Sequence, residues 1–487
     1  MTIYGLYVNE ALRYPTDGAP FRPRVAYPEY PFGSESISFA ENPVYVGVRD
    51  LFRLSGLDPE NYGSIWWNPL GEWIKPGMHV LVKPNLVMHE NAGGYGIDCL
   101  YTHPSVIAAV IDYIVIALKG EGSIVLADAP MQSCDWETLI RASGLDRLVA
   151  WYWNNGIDIR LKDLRGLRST ERRGGLSQQL VEGVAGRVID LGDDSSFANL
   201  PEERMAGLRI TNYDPAELAR HHAVGRHEYF VSQELLDADV VVNLPKAKTH
   251  RKAGLTGALK NMVGVNVRKE YLPHHTAGSA QEGFDEYERR CALRRVSASL
   301  LDTRNAAMAR GSGARGLFGA LSAFFGKTGR LVSGDVTSEG SWWGNDTIWR
   351  TVLDLNKIVF YADSGGLMRD KLQRRMVVVC DMVTIGQGEG PLLPEPGQWK
   401  MLSFCDEPAA HDCAMARLMG SDASLMPTIR QALAYGGRYS WGQKGAASVV
   451  CRSNVGTFDG VRLDGLEGGL FAKPANGWMG HFERTAK

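Results

Sequence analysis

The apolar run Val240 to Leu244 ends abruptly in Pro245-Lys246-Ala247-Lys248-Thr249-His250, and this junction constrains the fold more than any other stretch of the chain. A short β-branched run closed by proline and followed by a Gly-rich segment predicts a buried strand of a parallel sheet. Cations and a histidine then fall at its carboxyl end, where open α/β sheets bind ligands. Leu259-Lys260-Asn261-Met262 completes the block and adds a further lysine and an amide.

The same punctuation recurs. Met78 to Leu86 reads as a strand stopped by Pro84, since proline cannot donate to a ladder. Ser123 to Ala127 ends at Asp128-Ala129-Pro130. Met376 to Asp381 leads into a loop, Gly386-Gln387-Gly388-Glu389-Gly390, and Met401 to Phe404 is a shorter strand. Helical patterns alternate with these runs. Val106 to Leu118 has Thr102 or Ser105 as its cap and Pro104 early; Asp135 to Ala142 and Glu407 to about Leu418 follow the same logic. In Asp346 to Tyr361 the residues Ile348, Val352, Leu355 and Val359 repeat at helical spacing, with Asn345 or Asp346 as cap. The alternation predicts an α/β fold: a mostly parallel sheet with helices on both faces, an irregular N-terminal arm and a helical insertion. The expected boundaries are an arm over 1–41, core over 42–266, an insertion or lid over 267–340, core over 341–425, and a C-terminal segment over 426–487 that packs on the core. Asn42 to Leu57 reads as a strand and a short helix.

Composition narrows the function classes. Lysine and arginine balance the acids to a net charge of −2 over 487 residues, which argues against nucleic-acid binding through bulk charge. The seven cysteines form no C-x-x-C pair, so neither a zinc ribbon nor an iron–sulfur cluster is expected. The odd count without a secretory signal fits a reducing cytoplasm. The longest apolar stretch, Val106 to Leu118, carries Asp112 and is too short to span a bilayer.

Strand ends of one parallel sheet share an edge, so residues remote in sequence meet there. On that ground Lys83, Asn85, Lys246, Lys260, Asn261, Gln387 and Glu389 are the candidate binding residues for an anionic small molecule. Lys248, His250, His103 and Asp128 are the candidate catalytic residues: histidine titrates near neutral pH, a lysine among other lysines loses its proton more easily, and a carboxylate orients a base. Asn85 and Asn261 are suited to donate to a developing oxyanion. Asp128 and Glu389 with either histidine make a candidate site for a divalent metal, although no local metal spacing is present. Asp412, in the first turn of its helix, is explained by the helix dipole. His221-His222 and His274-His275 read as surface residues. Between Arg304 and Arg330 there is no acid and there are five basic residues. Leu317, Leu321, Phe324 and Phe325 suggest a basic amphipathic helix there, either a lid packed on the core or a contact for a membrane surface or partner protein.

The fragments VLVKPNLV, YTHPSVIAAVIDY, IVLADAP, VVVNLPKAKTHRKAGLTGALKNMVGV and GQGEGPLLP, in this order, resemble the family called domain of unknown function 362, over about Asn42 to Gly420. The segments WWNPL and GSWWGNDTIWRTVLDLNKIVFYAD resemble a longer branch of it. The resemblance implies no settled activity. Many relatives carry a ferredoxin-like cluster domain with paired C-x-x-C motifs, which is lacking here, so an electron-transfer role does not carry over. The longer branch implies an association with surface-polysaccharide genes. The expectation is an enzyme acting on a sugar acid, phosphorylated metabolite or nucleotide-sugar, or a non-catalytic binder of such a ligand.

Overall fold

A computed structural model describes residues 2–172, 175–310, 312–441, 445 and 448–483. The main sheet runs in the order Cys451–Ser453, Tyr4–Val8, Leu393–Cys405, Arg375–Glu389, Val240–Leu244, His79–Pro84, Ser123–Asp128 and Ile159–Asp163. From Arg375–Glu389 onward these neighbours are parallel; Leu393–Cys405 is antiparallel to both strands that flank it. The mostly parallel α/β sheet is therefore present.

Both faces are covered, as continuous apolar strands require. Val80, Val82, Val240 and Val242 face a core built on the helices Pro43–Leu54 and Pro104–Leu118. Leu81 and Val241 face the opposite core, under the helix Ile348–Tyr361. A third core gathers Tyr4, Ala247, Met382 and Ile385 beneath the helix Pro408–Leu418.

Several local expectations change. Asn42 to Leu57 contains one helix, Pro43–Leu54, with no strand: the Asn42 side chain accepts from Tyr45 N, proline sits in the first turn, and Val44, Val48 and Leu51 bury one helical face. The arm is not wholly irregular, because Tyr4–Val8 pairs with Leu393–Cys405 and Cys451–Ser453; those partners lie far off in sequence and leave no local pattern. The cap of Pro104–Leu118 is neither Thr102 nor Ser105 but His103, whose Nδ1 accepts from Ser105 N at 3.1 Å. Asn345 Oδ1 accepts from Thr347 N and Ile348 N, as its capping role requires. The insertion holds two helices, Ala292–Ala309 and Arg315–Ser333.

The largest change concerns the two expected turns. Lys246–His250 is itself a strand, pairing with Arg375–Glu389 in parallel and with Gly254–Thr256 in antiparallel fashion. Its alternation is the signature of a strand: Ala247 enters the third core and Thr249 donates to Gly388 O, while Lys246, Lys248 and His250 occupy the alternate positions. The glycine-rich Gly386 to Glu389 is not a loop either, but the end of the long strand Arg375–Glu389, paired with Leu393–Cys405.

Candidate functional site

At the carboxyl edge of the sheet, Asn243 lies in register with Lys83 and Leu244 with Pro84. Lys83 Nζ meets Asp128 Oδ1 at 2.7 Å, with both side chains buried. The same ammonium donates to Pro84 O and to Asn261 Oδ1, and Asp128 Oδ2 accepts from Leu86 N. Asn261 ties the strands together: its amide donates to Lys83 O at 3.0 Å and Asn243 Oδ1 at 2.8 Å, and its Oδ1 also accepts from Asn85 Nδ2.

Glycine 264 is dictated by this floor. A Cβ there would stand 2.1 Å from Asp128 Oδ1 and 2.7 Å from Lys83 Nζ. At Gly257 a Cβ would lie 2.2 Å from Asp412 Oδ1. That carboxylate accepts from Ala258 N and Leu259 N, holding the turn that carries Lys260. Asp412 thus serves a different segment from its own helix. Its Oδ1 also meets His411 Nδ1 at 2.9 Å, and His411 Nε2 meets Ser403 Oγ at 3.1 Å. The connectivity resembles a nucleophile–base–acid relay, but all three side chains are buried, so the chain acts as a brace.

Above this floor is a cavity of about 100 Å3. Lys248, His250, Lys260, Lys269, Asn85, Asn261 and Thr256 line it, and the carboxylate in its wall, Asp128, is the one paired with Lys83. Lys248 Nζ donates to Asn85 Oδ1 and Leu100 O, each at 2.5 Å. Burial, with Lys246 and Lys260 adding like charge, holds it well below the ordinary lysine value. Burial brings Lys260 down to about 7, helped by the cations Lys269 and Lys252. Lys269 falls to about 8 through burial, with the nearby Asp128 opposing and Lys83 assisting. The Thr256 hydroxyl is buried without a hydrogen-bond partner.

His250 is brought to the cavity in a form that alters its expected role. Its Nδ1 accepts from Lys252 N and Ala253 N, at 3.1 and 3.2 Å, so the neutral ring carries its proton on Nε2. Burial and the adjacent Lys260 and Arg251 depress its pKa well below the ordinary histidine range. It is therefore built as a hydrogen-bond donor, and the expectation of a base is corrected.

His103 and Lys246 sit apart from this cavity. Lys246 Nζ meets Asp381 Oδ2 at 3.0 Å, both fully buried, and donates to Tyr14 Oη, which in turn donates to Asp381. His103 stacks on the Tyr14 ring with centroids 3.9 Å apart, and burial lowers its pKa to about 3. With Nδ1 engaged as a cap and His103 N donating to Asp381 Oδ2, it is a structural residue. Gln387 and Glu389 are also drawn away: Gln387 Oε1 accepts from Lys473 N and Glu389 Oε1 from Asn476 N, anchoring the C-terminal segment. The metal set Asp128, Glu389 and a histidine is thus not assembled, and among the described residues no group of three His, Cys, Asp or Glu side chains is placed to hold a metal ion. His222 and His275, expected at the surface, are buried.

Two cavity residues were missed. Lys269 lies in the short 3-10 turn Lys269–Tyr271, just beyond the conspicuous block, where its charge alone gives no signal. Thr256 belongs to the strand Gly254–Thr256, and its orphaned hydroxyl is visible only in three dimensions.

A parallel sheet carrying a lysine-lined cavity at its carboxyl edge defines the class. The chain belongs to the family described as Domain of unknown function (DUF362), which matches residues 80–182 and 183–417. It is similar to the "Thylakoid-associated protein sll1697" of Synechocystis sp. (strain ATCC 27184 / PCC 6803 / Kazusa), at 29% identity over 218 residues, covering 45% of this chain and 48% of that protein. The chain thus spans about half the length of that relative. No solved structure matches it. None of the described helices is long and apolar enough to cross a membrane.

Proposed function

We propose that the chain is an enzyme acting on a small anionic molecule, bound in the cavity between Lys248, His250, Lys260 and Lys269. The observation that carries this reading is an imbalance of charge. Four nitrogen side chains converge on a space whose one lining carboxylate is already neutralised by Lys83. Several desolvated lysines side by side are costly unless a counter-charge arrives. The volume is below the ~300–1,000 Å3 of sites that enclose a drug-sized ligand, so it suits the charged end of a molecule. The His250 Nε2–H and Thr256 hydroxyl supply neutral donors.

Titration calorimetry with sulfate tests the binding part. Lys260→Met and Lys269→Met are each expected to weaken sulfate by about tenfold or more, the loss of one charge-assisted hydrogen bond. The exposed control Lys371→Met is expected to change nothing. Equal affinity in all four proteins refutes the cavity as the anion site. Turnover separates the enzyme from a non-catalytic binder, which returns its ligand unaltered.

A second reading attaches to the helix Arg315–Ser333. Leu317, Phe324 and Leu331, seven residues apart and so on one face, are 62%, 63% and 76% exposed. We propose that this stripe, flanked by Lys327 and Arg330, touches an anionic membrane surface. The Synechocystis relative's name, which refers to thylakoid association, accords with this. In flotation with anionic vesicles the intact chain is expected to rise, and a variant with serine at all three positions to stay below. Identical behaviour of the two ends the idea.

A further inference from the structure

The cavity holds one lysine placed differently from the others. Lys83, in the floor beneath it, is paired with Asp128; of the lining lysines, Lys248 is held by Asn85 and Leu100, and Lys269 Nζ donates to Ala129 O at 3.3 Å. Lys260 has no hydrogen-bond or ion-pair partner among the described residues, and the charges that act on it are the cations Lys269 and Lys252. It is half-buried in the cavity wall, at the end of the turn Ala258–Asn261. Asp412 fixes the start of that turn through two backbone N–H groups, and Asn261 fixes its end through Lys83 O and Asn243. The backbone beneath this amine is therefore rigid while its nitrogen is free.

We propose that Lys260 is an amine nucleophile that condenses with the carbonyl carbon of a small 2-oxo acid whose carboxylate is held by the Lys269 ammonium. The inference rests on the reading of the cavity as an anion site and names its substrate class. An unprotonated amine beside a second cation is the established route to imine chemistry in proteins, because the neighbour's charge and desolvation both favour the neutral form. The geometry divides the two roles: Lys269 Nζ is held by Ala129 O while the Lys260 amine has no partner among the described residues, and burial beside cations brings Lys260 down to about 7, within reach of the neutral form. Thr256 supplies a hydroxyl with no other partner, and His250 an Nε2–H, to the oxygen of the addition intermediate. A cavity of about 100 Å3 accepts a compact keto acid more readily than a sugar.

The step balances without a further reactant. One N–C bond forms, the C=O bond is replaced by C=N, and the carbonyl oxygen leaves as water with the two amine hydrogens. The iminium form takes one further proton from solvent.

The experiment is borohydride trapping of the full chain with pyruvate, read by intact mass and peptide mapping. The expected result is a single reduced pyruvyl adduct on the peptide carrying Lys260, absent without pyruvate, absent in Lys260→Arg and diminished in Lys269→Met. Its formation is expected to rise from pH 6 to pH 8. Sulfate titration and thermal melting accompany each variant, and Lys260→Gln replaces Lys260→Arg if the latter fails to fold. An adduct on Lys248, or spread over surface lysines, overturns the assignment. Sulfate binding with no adduct overturns the imine and leaves the anion site standing. Loss of both refutes the anion site itself.

Discussion

Asp128→Ala is expected to cost about 3–5 kcal/mol of folding stability, the range for removing one partner of a buried ion pair. Lys83 is fully buried, and without Asp128 its ammonium keeps only Pro84 O and a 3.3 Å contact to Asn261 Oδ1. Leu86 N loses its acceptor as well. The loss is expected to grow as pH falls. Burial already lowers the Lys83 pKa and Asp128 opposes that fall, so without the carboxylate the lysine loses its proton more readily. A lysine whose folded pKa is depressed binds fewer protons in the native than in the unfolded state between the two values. Stability therefore rises with pH across that interval and declines towards neutrality. The double variant Lys83→Met with Asp128→Ala is expected to recover much of the loss, since no uncompensated charge remains. Urea unfolding midpoints of the single and double variants measure this. An Asp128→Ala midpoint matching the parent would mean that the pair does not hold the sheet edge together.

This pair also marks what was readable in the chain. Lys83, Asn85, Asp128, Lys248, His250, Lys260 and Asn261 all follow apolar runs or lie in the block after one, and parallel pairing brings such ends together from afar. The fold was legible for the same reason, because buried parallel strands are short, β-branched and closed by proline or glycine. The failures have separate physical causes. Lys246 to His250 carries so many polar groups that it reads as a turn, although its period of two is that of a strand and Lys246 is neutralised internally by Asp381. Glycines in Gly386 to Glu389 suggested a loop, whereas that segment continues a hairpin strand. His103 was read from its titration range, but its neighbours use it as a cap and a stacking surface. Lys269 and Thr256 join the cavity through tertiary packing alone, and residue type gives no hint of that.

Sulfate affinity is expected to fall by on the order of a hundredfold between pH 6.5 and pH 9 at constant ionic strength, about tenfold for each of two lysines that loses its charge. Lys260 and Lys269, at about 7 and about 8, are lysines of the cavity wall whose values fall in this window. Sulfate keeps its charge throughout, so the protein alone titrates. The sign follows from linkage: an anion that prefers the ammonium form raises the lysine pKa on binding and takes up protons. Calorimetry in buffers of different ionisation enthalpy should therefore register proton uptake near pH 8 and little near pH 6. His250 contributes nothing to this profile, because its depressed pKa keeps it neutral over the whole range. The two variants divide the effect between the lysines. Lys260→Met and Lys269→Met should each flatten the profile, and the double variant should abolish most of it. A flat profile in the parent would place the bound sulfate away from these amines. A profile that steepens below pH 6 would assign the titration to a histidine, against the hydrogen bonds that fix Nδ1 of His250 as an acceptor.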